Sequence, residues 1–320
     1  MKTHFRALAA FGLAVGSLCN SANASEYSSI RDIPFEDPQF LSCLLKEGHD
    51  DPALIEGFNC WDTPITSISE IRHFPNLTGF VMTGTNLNSL NANMAPKLET
   101  IAFDTNQLDH LDVTGLPDLQ ILSIEGATFE TIDLSKNLKL ERVDFPNSKV
   151  NTLDLSHQTL LFEIVLRDSP VETLVLGPVD ELSELQLEGT QVPALDLSNA
   201  TKLSRLSLPG TSLDTLATVD TSGMKFLAIT GADLRDTDIS TMFDLPDNLG
   251  FLNSQLGQQD WSKLNQLRGL VIMDSTLDSL DLSAFEQLKF LRVRGTNLDG
   301  VRASDPGKFG RVDMDVPFIK

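Results

Sequence analysis

The sequence predicts a solenoid: a stack of short β-strand coils, closed at the N-terminal end by a small helix. Three observations lead there. Leucine-class residues recur every 21 residues over most of the chain, each repeat opens with the alternation of a short strand, and two cysteines bracket a helical segment ahead of the first repeats. Length alone, 320 residues with 41% apolar content, suggests two domains. One period running through both halves argues for a single repeat architecture instead.

Residues 182–202 read LSELQLEGTQVPALDLSNATK, and the same phrase restarts at once as LSRLSLPGTSLDTL. The pattern L-x-x-[LIVF]-x-[LIVFM] begins at Leu77, Leu98, Leu119, Leu140, Leu161, Leu182, Leu203 and Met224, each 21 residues after the last, and resumes at Leu267 and Leu288. An irregular unit is placed at Leu249, 25 residues after Met224 and 18 before Leu267. A degenerate first copy starts at Ile55, with Phe58 and Cys60 in the next two inward positions. Apolar residues at offsets 0, 3 and 5 give the period-two signature of a strand with one buried face. A second apolar group follows at offsets 10, 13 and 15, as in Val192, Leu195 and Leu197. Between the groups, offset 8 holds Thr85, Asn106, Ala127, Ser148, Ser169, Thr190, Thr211, Ala232, Ser275 and Thr296. A hydroxyl there can bond backbone groups of the adjoining coil. One coil cannot bury its leucines alone; stacking coils about 4.8 Å apart turns each offset into a continuous apolar column. Each buried leucine contributes roughly 1.5–3 kcal/mol.

The unit LxxLxLxxTxLxxLDLSxxxx is similar to the extracellular leucine-rich repeats of bacteria, most of all to internalin-type proteins with short repeats and an LDLS or LDVS phrase. That phrase is found at Leu153–Ser156, Leu195–Ser198 and Leu280–Ser283. The segment FEDPQFLSC…FNCWDTPITSI resembles the helical N-terminal caps of secreted bacterial relatives. The resemblance covers roughly residues 34–304. It implies a leucine-rich repeat solenoid, a curved right-handed horseshoe of α/β type. Mostly short parallel β-strands would line the concave side, with turns and 3₁₀ pieces on the convex side. It also implies a secreted protein-binding module, an adhesin or host-interaction factor. The family's anchored adhesins carry further domains and a wall-sorting tail after the repeats. This sequence shows none past Ser304, which fits a soluble factor better.

The predicted organisation is a signal peptide over 1–24, a helical cap over 25–54, leucine-rich repeats over 55–304 and a C-terminal cap over 305–320 with a strand at Val312, Met314 and Val316. Lys2 and Arg6, the apolar run ALAAFGLAVGSL and the ending Ala22-Asn23-Ala24 make a secretory signal. The run is too short to span a bilayer, which takes roughly 20 residues. No later stretch is long enough either, so no membrane anchor is expected. The chain is read as a monomer exported to the periplasm or the medium. A net charge of −21 argues against nucleic acid and anionic lipid as partners. Cys43 and Cys60 are read as a disulfide, the usual state of a pair in an oxidising compartment; the alternative is two buried thiols. Asp37-Pro38 reads as a helix start, and Phe40, Cys43 and Leu44 at i, i+3 and i+4 put Cys43 on the inward face.

Residues at offsets 2, 4 and 6 leave the strands on the concave face, free of packing duty, and a protein partner is expected there. The partner-binding candidates are Arg142, Glu163, Arg167, Glu184 and Arg205 in a central charge mosaic, then Phe226, Phe251, Met273 and Phe290, followed by Arg292 and Arg294. Exposed aromatics beside arginine match the composition of interface hot spots. The competing reading is internal cover: the C-terminal tail folds over the phenylalanines, or the irregular repeat tilts them into the core.

The sequence gives little sign of catalysis. His49, His73, His110 and His157 fall at unrelated offsets, and no nucleophile or phosphate-cradling motif is present. Glu163, Glu184 and Glu188 form a carboxylate group on the open strand face, with no enclosed pocket to raise a pKa. Asp233, Asp236, Asp238, Asp244 and Asp247 crowd one turn, without the spacing of a calcium loop. No cofactor or metal is expected. The aspartates of the LDLS-like phrases, Asp112, Asp133, Asp154, Asp196, Asp238 and Asp281, read as solvent-facing turn residues. The favoured function is a non-catalytic protein-binding module; the alternative is a cell-envelope scaffold or a glycan-binding surface protein.

Overall fold

A computed structural model of the chain describes residues 26–319 apart from Asn106, Gly223, Phe243 and Leu245. The predicted signal peptide lies outside the described residues. The chain forms two compact units, divided after Pro178.

The first unit opens with the cap. Asp37 starts helix α1 (Pro38–Lys46), its Oδ1 accepting the Gln39 N–H at 2.8 Å. Pro38 sits in the first turn, where a missing N–H costs nothing. The second carboxylate oxygen accepts from the Thr66 N–H at 2.6 Å and the Thr66 hydroxyl at 2.9 Å, tying the helix to the segment beyond Cys60. Burial opposes the charge on Asp37, but these hydrogen bonds outweigh it and hold the carboxyl below its ordinary value. Phe40, Cys43 and Leu44 form the buried face of α1. Cys43 is bonded to Cys60, with Cα atoms 5.8 Å apart and a sequence separation of 17. A closure of that length stabilises by about 3 kcal/mol in the chain-entropy account.

Strands β1 (Gly57–Cys60), β2 (Gly79–Met82), β3 (Thr100–Asp104), β4 (Ile121–Glu125), β5 (Arg142–Asp144) and β6 (Glu163–Val165) pair in parallel, each with the next. Phe58, Phe80, Ile101, Leu122, Val143 and Ile164 are register partners in one buried column. The helix extends this column: the Phe40 ring lies 5.1 Å from Phe58, which stacks on Phe80 at 5.4 Å, with Phe103 6.2 Å further on. The second apolar group forms a smaller parallel pair, Thr152–Leu155 with Thr173–Leu176.

The second unit repeats the arrangement with β7 (Glu184–Gln186), β8 (Arg205–Pro209), β9 (Phe226–Thr230), β10 (Asn248–Leu252), β11 (Gly269–Met273), β12 (Phe290–Arg294) and β13 (Arg311–Met314). Leu185 pairs with Leu206 and Leu206 with Leu227, while Arg205 pairs with Phe226 on the other face. The return path is short 3₁₀ turns, among them Ile239–Thr241 and Trp261–Leu264.

One expectation is overturned here. Leu249 is the register partner of Leu227, and Phe251 of Ile229, so Leu249 occupies offset 3 rather than offset 0. The irregular unit therefore starts at Pro246, 22 residues after Met224, and the next follows after the usual 21. Proline at the opening position hid that start. The extra residue is absorbed in the turn before β10, where coil length is not fixed by pairing.

Several offset-8 hydroxyls act as expected. The Ser148 N–H donates to Ser169 Oγ at 3.0 Å, and both hydroxyls bond the Phe145 carbonyl. In the second unit the Ala232 N–H donates to Ser254 Oγ at 3.2 Å and the Ser254 N–H to Ser275 Oγ at 3.1 Å. Ser254 joins the column only in the corrected register. Buried amides add to it: Asn137 Nδ2 donates to the Val113 and Leu116 carbonyls, and Gln259 Nε2 to those of Leu234 and Thr237.

Candidate functional site

The residues of interest lie on the sheet face opposite the inward columns, and the two units present different chemistry there. In the first unit, the middle position of each strand is closed off. Val81, Ala102, Ser123, Asp144 and Val165 are all buried. Ile121 packs on Val81 and Ala102 to make a small apolar cluster.

Arg142 and Glu163, both expected to meet a partner, belong to an internal charge cluster. Arg142 Nε donates to Asp144 Oδ2 at 2.7 Å and a second guanidinium nitrogen donates to Glu163 Oε2 at 2.7 Å. Asp144 is 0% exposed, so its charge is tolerable only with the arginine beside it. Arg142 is itself buried and Glu163 nearly so, which limits what either offers a partner. Arg167 is half-buried at the rim.

In the second unit, Glu184 lies 3.5 Å from Arg205 and also accepts a hydrogen bond from Gln186. The Arg205 guanidinium stands 6.0 Å from the centre of the Phe226 ring. Phe226 is half-buried and lies over Gly250, where an added Cβ would come within 3.3 Å of the ring. Met273 and Phe290 are also half-buried. Phe290 sits between two arginines, Arg292 at 5.7 Å and Arg311 at 5.9 Å. Arg292 and Arg294 both bond Asp313, at 3.0 and 2.5 Å.

Phe251 is a correction. It is 0% exposed and faces the core, because its strand runs in the register set by Pro246. Its place on the outer face is taken by Asn248, Gly250 and Leu252, and Leu252 is half-exposed beside Met273, its register partner. Sequence reading missed Leu252 for the same reason. The serine at position 254 was the available signal, since only a start at Pro246 puts a hydroxyl at offset 8. It also missed Arg311 and Asp313, which continue the outer columns one strand beyond Phe290 and Arg292.

Three of the outer-face carboxylates sit against a cation: Glu163 with Arg142, Glu184 with Arg205, Asp313 with Arg292 and Arg294. The Arg294 guanidinium, with Arg292 beside it, holds the Asp313 carboxyl below its ordinary value. The acidic turn is engaged likewise, Asp233 by Arg235 at 2.6 Å, Asp238 by Lys263 at 2.6 Å and Asp247 by Arg268 at 3.6 Å. A groove beside it has Trp261 in its wall, but that ring is buried and its Nε1 donates to the Ser279 carbonyl. Among the described residues, no helix is long and apolar enough to cross a membrane.

No protein-family model and no curated protein sequence matches the chain. Solved structures do. The functional domain of InlJ from Listeria monocytogenes, which includes a cysteine ladder, aligns over 88% of this chain and 77% of that one, with a TM-score of 0.63 and 20% identity. The fold is that of a leucine-rich repeat domain. Two further leucine-rich repeat structures are similar over most of the chain. The domain of APL1B aligns at 17% identity over 89% of this chain and 82% of its own, with a TM-score of 0.49. An internalin, InlF, from Listeria monocytogenes aligns at 15% identity over 87% and 95%, with a TM-score of 0.49. The outer strand face is closed and self-paired in the first unit and carries half-buried apolar side chains in the second.

Proposed function

We propose that the chain is an exported, non-catalytic binding module that holds a partner protein on the outer strand face of its second unit. The observation that carries this reading is the row of half-exposed apolar side chains on that face: Phe226, Leu252, Val271, Met273 and Phe290. Arg205 and Arg294, with side chains 52% exposed, stand at either end. Neighbouring strands place these groups about 4.8 Å apart, which gives a partner apolar contact in the middle and charge pairs at the rim. Arg142, Glu163 and Asp144 hold the adjoining part of the fold together rather than contact the partner. The disulfide and the predicted leader support export to an oxidising compartment.

The test is affinity capture from the organism's own surroundings with the Phe226→Ser/Phe290→Ser double variant against the unaltered chain. Both side chains are partly solvated, so the variant should stay folded, and loss of capture by at least about tenfold is expected for two central anchors. Equal capture by a folded double variant removes this face from consideration.

A further inference from the structure

The first and the last of the described strands are covered differently. At the first, α1 lays Phe40 and Leu44, both fully buried, against the opening coils. At the other, β13 is the last strand of its sheet, and no described strand pairs with its outer edge. Val312 on its inward face is 40% exposed. The Arg311 N–H donates to the Lys289 carbonyl at 2.8 Å and the Asp315 N–H to the Val293 carbonyl at 3.2 Å. Residues 311, 313 and 315 therefore turn their amides toward β12, and alternation points the N–H and C=O of Val312 and Met314 out of the edge.

We propose that this edge is a homodimer contact, in which β13 pairs antiparallel with β13 of a second copy about a two-fold axis through Val312. The segment Gly310-Arg311-Val312-Asp313-Met314 is self-complementary in that register. Read against its own reverse, it sets Val312 against Val312, Arg311 against Asp313 twice, and Met314 against a glycine with no side chain to obstruct it. Arg311 and Asp313 project from one face, so the opposite charges meet as cross-strand neighbours. Asp313 is already fixed on that face by Arg292 and Arg294. An axis through Asp313 would oppose two aspartates and one through Arg311 two arginines, so Val312 is the centre that charge selects. It is also a residue whose amide and carbonyl face outward, as a hydrogen-bonded antiparallel pair needs.

Edge strands usually carry charge to keep other strands away, but here Arg311 and Asp313 are of opposite sign and face each other in the paired register. The closing segment 305–320 carries three acids and three bases in a chain of net charge −21. Two copies thus meet through a segment without net formal charge. The contact is isologous, closes on itself, and covers the exposed valine.

Sedimentation velocity of the intact chain, up to about 100 μM, reads the association directly. A monomer–dimer equilibrium is expected, and Arg311→Glu, which sets like charges opposite each other twice, should weaken it by about tenfold or more. A short bis-maleimide reagent should join copies of a Val312→Cys variant and leave Lys308→Cys copies separate, because Lys308 lies well off the axis. A chain that stays monomeric across the range overturns the proposal. So does a dimer that is indifferent to Arg311→Glu, or one in which Val312→Cys does not cross-link.

Discussion

At the scale of single residues, the two phenylalanines Phe226 and Phe251 carry the clearest lesson. Both follow an apolar phrase, and the sequence spacing places both on the outer face. The backbone register buries one and leaves the other half-exposed. Replacing each by serine separates them. Phe251→Ser opens a cavity and buries a hydroxyl, a change of about 4 kcal/mol. Phe226→Ser loses only partial packing, about 1 kcal/mol or less. Urea denaturation of the two variants reads the difference, and equal losses would contradict the register. The other outer residues were legible as positions, not as partners. Periodicity says that Arg142 and Asp144 leave the strand on the same side. It cannot say that the guanidinium will turn sideways and serve a fully buried carboxylate. That depends on the width of the neighbouring side chains, which one sequence position does not encode.

At the scale of the element, the recurring unit is an aspartate followed two residues later by serine or threonine. The carboxylate of Asp133, Asp154, Asp196 and Asp281 accepts the N–H of Ser135, Ser156, Ser198 and Ser283, each at 2.9–3.0 Å. Hydrogen bonds from these serines hold the four carboxyls below their ordinary range. Asp238 is lowered furthest, to about 2, by the Lys263 ammonium first and by Ser240 next. A carboxyl depressed in the folded state contributes stability that is complete above its unfolded value, about 3.9. That contribution is lost as pH falls toward the folded value. Thermal melts should therefore be level down to about pH 4 and drop between about pH 4 and pH 2. Asp238→Asn should melt lower at neutral pH and show a shallower fall. The turn role of these aspartates was readable from the phrase itself, because Asx turns need only local spacing. The ion pair to Lys263 joins residues 25 apart and needed the stacked coils to be seen.

At the scale of the molecule, the period of 21 residues dictates the architecture. A repeat that must stack to bury its leucines has few other solutions. What the leucine pattern by itself could not place was the boundary of the odd coil, since a proline stands where a leucine was sought; the serine at offset 8 carried that information. Charge is the other property that belongs to the whole chain. A net charge of −21 repels itself, while the exposed ion pairs, such as Lys139 with Asp118 and Lys202 with Glu181, are each worth little. Screening should relieve more repulsion than it removes attraction. Raising ionic strength from about 0.01 M to about 0.15 M should lift the melting temperature by roughly 2 °C or more. A melting temperature that falls with salt would mean that the pairs outweigh the net charge.

The odd coil also shows where the chain tolerates change in length. Its surplus residue left the strand partners of β9, β10 and β11 aligned, so the stack is indifferent to how long the excursion between them runs. Lengthening a loop costs only slowly rising closure entropy. A short epitope spliced in after Asp244, which is exposed and outside the strands, should ride on the rim without disturbing the coils beneath. That would give a handle for immobilising the molecule with its outer strand face left free.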